Sequence, residues 1–175
     1  MAVVVDDEQL PVQAARAGEA AAWDALFRRY QLPLYVYAFE LLHDEQASLD
    51  AVQETFINAV RHIGGLRDDA KFGSWLFGIA HQKCVQHWRK RRLEESWDDE
   101  ALGELPDDEA DPREWLIRKE QEEEFMRLLN QLPPLQRSAL LLHFIEELSL
   151  EEIASITGVR LGTVKSRLHY AKRAL

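Results

Sequence analysis

The sequence predicts an all-α protein made of two small helical domains joined by an acidic linker. Three observations carry that expectation. Apolar residues recur at intervals of three and four along both halves, strand-like alternation is almost absent, and a stretch crowded with carboxylates and lacking any apolar period separates the two halves. The expected boundaries are 5–92 for the first domain, 93–114 for the linker and 115–175 for the second domain. A chain of 175 residues that is 46% hydrophobic and 30% charged is globular in composition. No apolar run approaches the ~20 residues of a membrane span. The opening Met-Ala-Val-Val-Val-Asp-Asp-Glu lacks the basic and apolar regions of a signal peptide. The single cysteine, Cys84, allows no internal disulfide, and a cytoplasmic location is expected.

In order along the chain, the first helical region is 11–30, where Ala14, Ala15, Ala22, Trp23, Leu26 and Phe27 share a face. Pro33 is expected to begin or kink a second helix, apolar from Leu34 to Leu42, because proline fixes φ and removes a backbone donor. Asp44 is a cap for a third helix over roughly 45–63, with Ala51, Val52, Thr55, Phe56, Ala59, Val60 and Ile63 inward and Asp50, Gln53, Glu54 and Asn58 outward. Gly64-Gly65 stops it, and a loop, Leu66-Arg67-Asp68-Asp69-Ala70, follows. A fourth helix, roughly 71–92, opens on Phe72, Trp75, Leu76 and Ile79, whose spacing suits a core, and closes on Trp88-Arg89-Lys90-Arg91-Arg92. No acidic residue lies between Lys71 and Leu93, so aromatic and cationic side chains share one helix, the combination that single-stranded DNA binding uses. A basic helix end is also what the helix dipole favours without any ligand.

Residues 149–175 read as a helix-turn-helix. Ser149 and Glu152 form a capping box, Leu150, Ile153 and Ala154 supply a buried face, and Gly158 turns the chain. On the second helix, starting near Gly162, Val164, Leu168, Ala171 and Leu175 form one stripe, while Lys165, Ser166, His169, Tyr170 and Arg173 point away from it. The outward face is shaped for a major groove. After Glu152 no acidic residue occurs, although Arg160, Lys165, Arg167, Lys172 and Arg173 do. The chain's formal net charge of -10 is therefore misleading as a whole-molecule number. Eleven acidic residues stand against Arg113 alone between Glu94 and Glu114, a net of −10, so the remainder sums to zero. Because that segment is poor in apolar residues, the placement of the two domains is expected to follow from partners and not from a shared core.

His81, Cys84 and His87 lie within seven residues, but three-residue steps drift by roughly 60° on a helix, and no fourth ligand is near. No metal is expected. No phosphate-cradling glycine loop, His-carboxylate pair or nucleophile elbow appears, so neither a cofactor nor catalytic residues are expected.

Four motifs in order resemble the sigma-70 family of bacterial RNA polymerase initiation factors, in its extracytoplasmic-function (ECF) class with regions 2 and 4 only. Ser48-Leu49-Asp50-Ala51-Val52-Gln53-Glu54-Thr55-Phe56 is similar to the acidic signature of region 2, and Phe72-Gly73-Ser74-Trp75-Leu76-Phe77-Gly78-Ile79-Ala80 to its aromatic run. Leu132-Pro133-Pro134-Leu135-Gln136-Arg137 resembles the opening of region 4, and Gly162-Thr163-Val164-Lys165-Ser166-Arg167-Leu168 its recognition-helix start. Departures occur at Ser48-Leu49, Gly78, Gln82 and Tyr170; Gly78 occupies a place often taken by arginine.

The resemblance implies two domains, sigma region 2 and region 4, that bind core RNA polymerase and promoter DNA. Asp50, Gln53 and Glu54 would meet the clamp helices of the largest polymerase subunit, and the flap of the second-largest subunit would take region 4. Arg67, Asp69, Phe72, Trp75, Arg89, Lys90, Arg91 and Arg92 would bind the minus-ten element, with the 66–72 loop holding a base flipped from the stack. Arg160, Thr163, Lys165, Ser166, Arg167, His169, Lys172 and Arg173 would read the minus-thirty-five element as duplex. An anti-sigma factor is an expected further partner. The competing expectation is a free-standing helix-turn-helix regulator of duplex operators, for which an outward Asp50-Gln53-Glu54 face has no use.

Overall fold

The computed structural model describes residues 10–95, 127–144 and 146–174, and every regular element in them is helical. The elements are α1 (Val12–Arg16), α2 (Ala20–Leu42), α3 (Glu45–His62), two 3-10 turns (Ile63–Gly65 and Asp69–Lys71), α4 (Phe72–Glu95), a helical stretch α5 (127–131), α6 (Pro134–Phe144), α7 (Leu150–Thr157) and α8 (Leu161–Ala174). Of the expected acidic linker, 96–114 lies outside the described residues.

The break between the first helices falls at Gly18, in the left-handed region at φ 88°, and not at Pro33, which sits inside a continuous α2. The reason is visible in the burial. Leu26, Leu34, Tyr37, Ala38 and Leu41 are all core residues on one side of the helix, so packing keeps the chain helical through the lost backbone donor. α3 is capped as expected, the Asp44 Oδ1 accepting from the Ala47 N–H at 2.8 Å. Its inward face is Ala51, Val52, Thr55, Phe56 and Ala59. Val60 departs from that expectation: it is 53% exposed, one position off the stripe that Ala59 and Ile63 continue.

α3 and α4 pack on one another and on α2, forming the first unit. The left-handed His43 ends α2, and Arg91 reaches back from α4 to donate to the Leu42 carbonyl at 3.1 Å, satisfying one of the last free acceptors of that helix. The second unit is α6 with α7 and α8, the capping box and the Gly158 turn (φ 67°) both formed. Val164, Leu168 and Ala171 bury the inner stripe of α8; Leu175 lies outside the described residues.

The units share a core, contrary to the expectation from linker composition. α7 lies on α4, α6 lies on α2, and the buried apolar residues form one continuous cluster. The polarity of a connecting segment carries no information about the faces it connects. Two buried polar groups join them. All five Arg137 guanidinium donors have acceptors: Nε meets Leu129 O, Nη2 meets Asn130 O and Leu132 O, and Nη1 meets Glu40 O and His43 Nε2. The last two belong to α2 and its cap. The Tyr37 hydroxyl lies 2.8 Å from His81 Nδ1 and 2.7 Å from Ser138 Oγ, one group from each of α2, α4 and α6. Burial pushes the His81 pKa down to about 4, with the Arg167 charge acting in the same direction, so the imidazole is neutral near pH 7.

Candidate nucleic-acid interface

The outer face of α8 is built as the sequence suggests. Thr163, Lys165, Ser166, His169, Tyr170 and Lys172 are exposed, and Arg160 precedes the helix on the exposed turn. The Ser166 hydroxyl donates to Gly162 O at 3.0 Å, leaving its lone pairs outward. His169 and Tyr170 meet edge to face, and Lys172 lies over the Phe144 ring at 5.2 Å, which steadies its long stem without neutralising it. Arg167 and Arg173 are half-buried. The Arg167 charge acts on His81 of the first unit, and burial lowers the Arg167 pKa.

The loop before α4 is arranged differently. Arg16 holds it from outside, donating to Leu66 O at 3.0 Å and pairing with Asp69 at 2.6 Å, while Asp68 caps the short turn through Ala70 N–H at 3.0 Å. Asp69 is thus engaged by Arg16, a residue no sequence pattern singled out. Arg67 is exposed and Trp75 is half-buried. Phe72 corrects the expectation of a DNA-facing ring: it is 0% exposed, 5.7 Å from the Tyr30 ring and 5.8 Å from the Trp75 ring, so no base can stack on it. Its role is to anchor the loop. The glycine beside it matters for the same packing, since a β-carbon at Gly73 would come within 3.0 Å of the Tyr30 hydroxyl.

Among the cations at the end of α4, Arg89 and Lys90 are exposed, Arg92 lies over Trp88 at 5.5 Å, and Arg91 caps α2 as described. Arg91 therefore has a structural duty that the sequence run concealed. His81 is committed to Tyr37, and Cys84 is buried with its thiol pushed up to about 12 by desolvation; His87 faces Glu54 of α3 at 3.6 Å.

α3 presents a third surface. Gln53 is exposed, Asp50 accepts from Gln46 at 3.0 Å, and Glu54 lies 3.6 Å from both Lys83 and His87 of α4 while its side chain stays 43% exposed. Alongside them stand Leu49, Ile57 and Val60, exposed at helical spacing. That stripe was missed because apolar periodicity alone assigns such residues to a core. The usable signal was an excess: α3 carries more apolar positions than one buried face holds.

An all-helical chain whose second unit is a capped helix-turn-helix with a cationic outer face falls in the class of duplex-DNA-binding proteins. Family models refine the class: Sigma-70 region 2 matches residues 26–94 and Sigma-70, region 4 matches residues 122–175. The chain belongs to the sigma-70 family, in its extracytoplasmic-function class, and directs RNA polymerase to promoters. It is 35% identical to the RNA polymerase sigma-H factor of Pseudomonas aeruginosa, over 97% of this chain and 91% of that protein. The ECF RNA polymerase sigma factor SigW of Bacillus subtilis is 27% identical over 94% of this chain and 92% of its own. Two solved structures share the fold. CnrH, in complex with the cytosolic domain of CnrY, superposes with a TM-score of 0.66 at 22% identity, covering 97% of this chain and 94% of that one. The sigma factor RpoE in complex with the anti-sigma factor NepR, from Bartonella quintana, gives 0.63 at 25% identity, covering 86% and 93%. The free-standing regulator is not favoured by these matches. Among the described residues no helix is long and apolar enough to cross a membrane.

Proposed function

We propose that the three surfaces divide the work of promoter-dependent initiation. The α3 face, with Asp50, Gln53, Glu54 and the exposed Leu49, Ile57 and Val60, docks on the clamp helices of core polymerase. Exposed apolar residues rimmed by carboxylates suit a protein partner, since they exclude water at the centre and set register at the edge. The α8 face reads the minus-thirty-five element as duplex through Lys165, Ser166 and His169, with Arg160, Thr163 and Lys172 on phosphates. The 66–72 loop with Arg67 and Trp75, and the Arg89–Arg92 end of α4, receive the melted minus-ten strand. Unstacking costs about 1.4 kcal/mol per base step, so a shaped loop that holds an extruded base favours the open promoter.

The observation that carries this reading is the separation of chemistry between surfaces: α8 turns cations and hydroxyls outward, α3 turns apolar groups and carboxylates outward. The relatives in complex with CnrY and NepR support a further partner that holds this chain when it is idle. Promoter-dependent transcription with core polymerase and the intact chain tests the reading. Run-off transcripts should require both components, and a chain that binds duplex sites but never supports transcription with core would overturn it.

A further inference from the structure

α1 spans only Val12–Arg16, too short to persist as an isolated helix, and its surroundings hold it in place. Val12 and Ala15 are buried in the core. At its C-terminal end the Glu19 N–H donates to Ala14 O and the Gly18 N–H to Ala15 O, both at 3.0 Å, the paired bonds that close a helix on a left-handed glycine. The Trp23 indole N–H, from the first turn of α2, donates to the same Ala15 carbonyl at 2.9 Å. Together these contacts fix the backbone at Arg16, the last residue of α1.

From that fixed base one nitrogen, Arg16 Nη2, donates to two groups of the loop before α4: Leu66 O at 3.0 Å and Asp69 Oδ1 at 2.6 Å. Leu66 ends the first 3-10 turn and Asp69 opens the second, so a single guanidinium group sets the span occupied by the exposed Arg67 and Asp68. Inside the span Asp68 Oδ1 accepts from the Ala70 N–H and Asp68 O from the Lys71 N–H, both at 3.0 Å; these bonds turn the chain but reach no other element. Leu66 and Phe72 sink into the core at the two ends of the loop, and Arg16 is the side chain that ties its middle to another helix. The Arg16 and Asp69 side chains remain 35% and 31% exposed, so the pair adds little to the stability of the fold. Its effect falls on the shape of the loop.

We infer that Arg16 is a positioning residue for minus-ten recognition: by bridging Leu66 O and Asp69 it holds residues 66–69 in the one shape that receives an extruded base. Arg16 precedes residue 26, where the match to Sigma-70 region 2 begins, so the role falls to a helix outside the matched segment. Without the bridge the span between Leu66 and Asp69 takes other shapes, and a strand that requires one of them binds in proportion to the share of chains that hold it. This inference rests on the loop reading proposed above.

The test uses holoenzyme assembled from core polymerase and each intact chain, with a short, fully randomised single-stranded DNA pool as the probe. Sequencing of the bound fraction gives the base preference at every position. The wild type should show a strong preference that substitution of Arg67 or Trp75 weakens, which marks the base taken by the loop. Arg16→Met keeps the stem and removes the donors. It should flatten that preference about fivefold, as for a loop competent in about a fifth of the chains. In the free chain it should also speed amide hydrogen exchange at Ala70 and Lys71, with the denaturant midpoint unchanged. Arg16→Lys, whose ammonium carries donors for both acceptors, should restore most of the preference. Asp69→Ala should flatten it by a similar factor, and the double variant should lose no more than either single one. Unchanged preference or unchanged exchange in Arg16→Met overturns the positioning role. A salt slope of total binding lower by about one, or an Asp69→Ala chain that binds more tightly, overturns it in favour of direct contact between Arg16 and phosphate. Faster exchange in Arg16→Met, in a holoenzyme where no base preference responds to Arg67 or Trp75, overturns the loop reading and with it the promoter role of Arg16, while the bridge itself stands.

Discussion

α3 and α8 each turn a face to solvent, and they do so with opposite chemistry. On α3 the exposed side chains include Leu49, Ile57 and Val60 between Asp50, Gln53 and Glu54; on α8 they are Thr163, Lys165, Ser166, His169, Tyr170 and Lys172. An apolar stripe gains free energy by excluding water against a complementary protein, at roughly 25 cal/mol per Å² buried. It gains nothing from a phosphate backbone. A cationic face attracts phosphate at long range and loses that attraction to salt. Under the proposed division the same secondary structure would serve two partners, and the difference lies in which side chains are left uncovered.

The largest effect should come from breaking the α3 side. Ile57→Asp combined with Val60→Asp places charge at the centre of the proposed polymerase contact while touching no core position. Loss of about 2–4 kcal/mol of core binding is expected, some thirtyfold to a thousandfold. Circular dichroism should show intact helices, and duplex binding by α8 should be unaffected. Core affinity within threefold of the parent, measured by fluorescence anisotropy, would remove α3 from the polymerase interface.

The α8 side is broken by alanine at Lys165, Ser166 and His169, each lost base contact costing roughly 1–3 kcal/mol of discrimination. Competition between promoter and scrambled duplexes measures it. Lys172→Ala should weaken both duplexes alike and flatten the salt dependence by about one unit of slope. Polymerase binding should follow neither change. If the three alanines leave the preference for upstream sequence intact, base readout lies elsewhere.

Legibility from sequence follows the same division between local and distant causes. The helix-turn-helix was readable because its determinants are near neighbours: Ser149 with Glu152, the left-handed Gly158, and the stripe of Val164, Leu168 and Ala171. The Asp44 cap was readable for the same reason. The loop before α4 was not. Phe72 points inward because Tyr30, forty-two residues earlier, receives it, and Asp69 is held by Arg16, fifty-three residues away. Pro33 stayed helical because Leu34, Tyr37 and Ala38 had a core to enter, which no window around the proline contains. The seam between units was invisible because Tyr37, His81 and Ser138 meet, and Arg137 finds its buried acceptors, only when the three helices are brought together. The site residues on α8 were placed by a local period, and those near α4 required tertiary partners to decide which way they face.

The smallest expected effect concerns the connection from α6 to α7, away from the exposed faces of α3 and α8. Glu146, in the connection from α6 to α7, is buried enough that its carboxyl pKa rises to about 7, and it contributes to raising the pKa of Tyr30 and Tyr37 on α2. A carboxyl raised in the folded chain binds its proton more tightly there than in the unfolded chain. Between about pH 4.5 and 7 the folded state therefore holds more protons, and stability from this group falls as pH rises, fully lost above 7. His81 acts in the opposite sense: its pKa is depressed to about 4, so stability falls as pH drops from about 6.5 through 4. The two trends offset each other across the overlap, and a wild-type stability profile between pH 4.5 and 6.5 should be nearly flat. Substitution separates them. Glu146→Gln removes the buried ionisation while keeping the shape, so denaturant unfolding should show a gain of ~1 kcal/mol above pH 7, well short of full conversion of the shift because the carboxyl retains solvent contact, and no gain below pH 4.5. The variant's profile should then rise from pH 4 to 6.5, led by His81, with the depressed His43 acting in the same sense and the raised Glu40 against it. A gain of equal size at pH 4 and pH 8 would mean that Glu146 acts through packing and not through its charge.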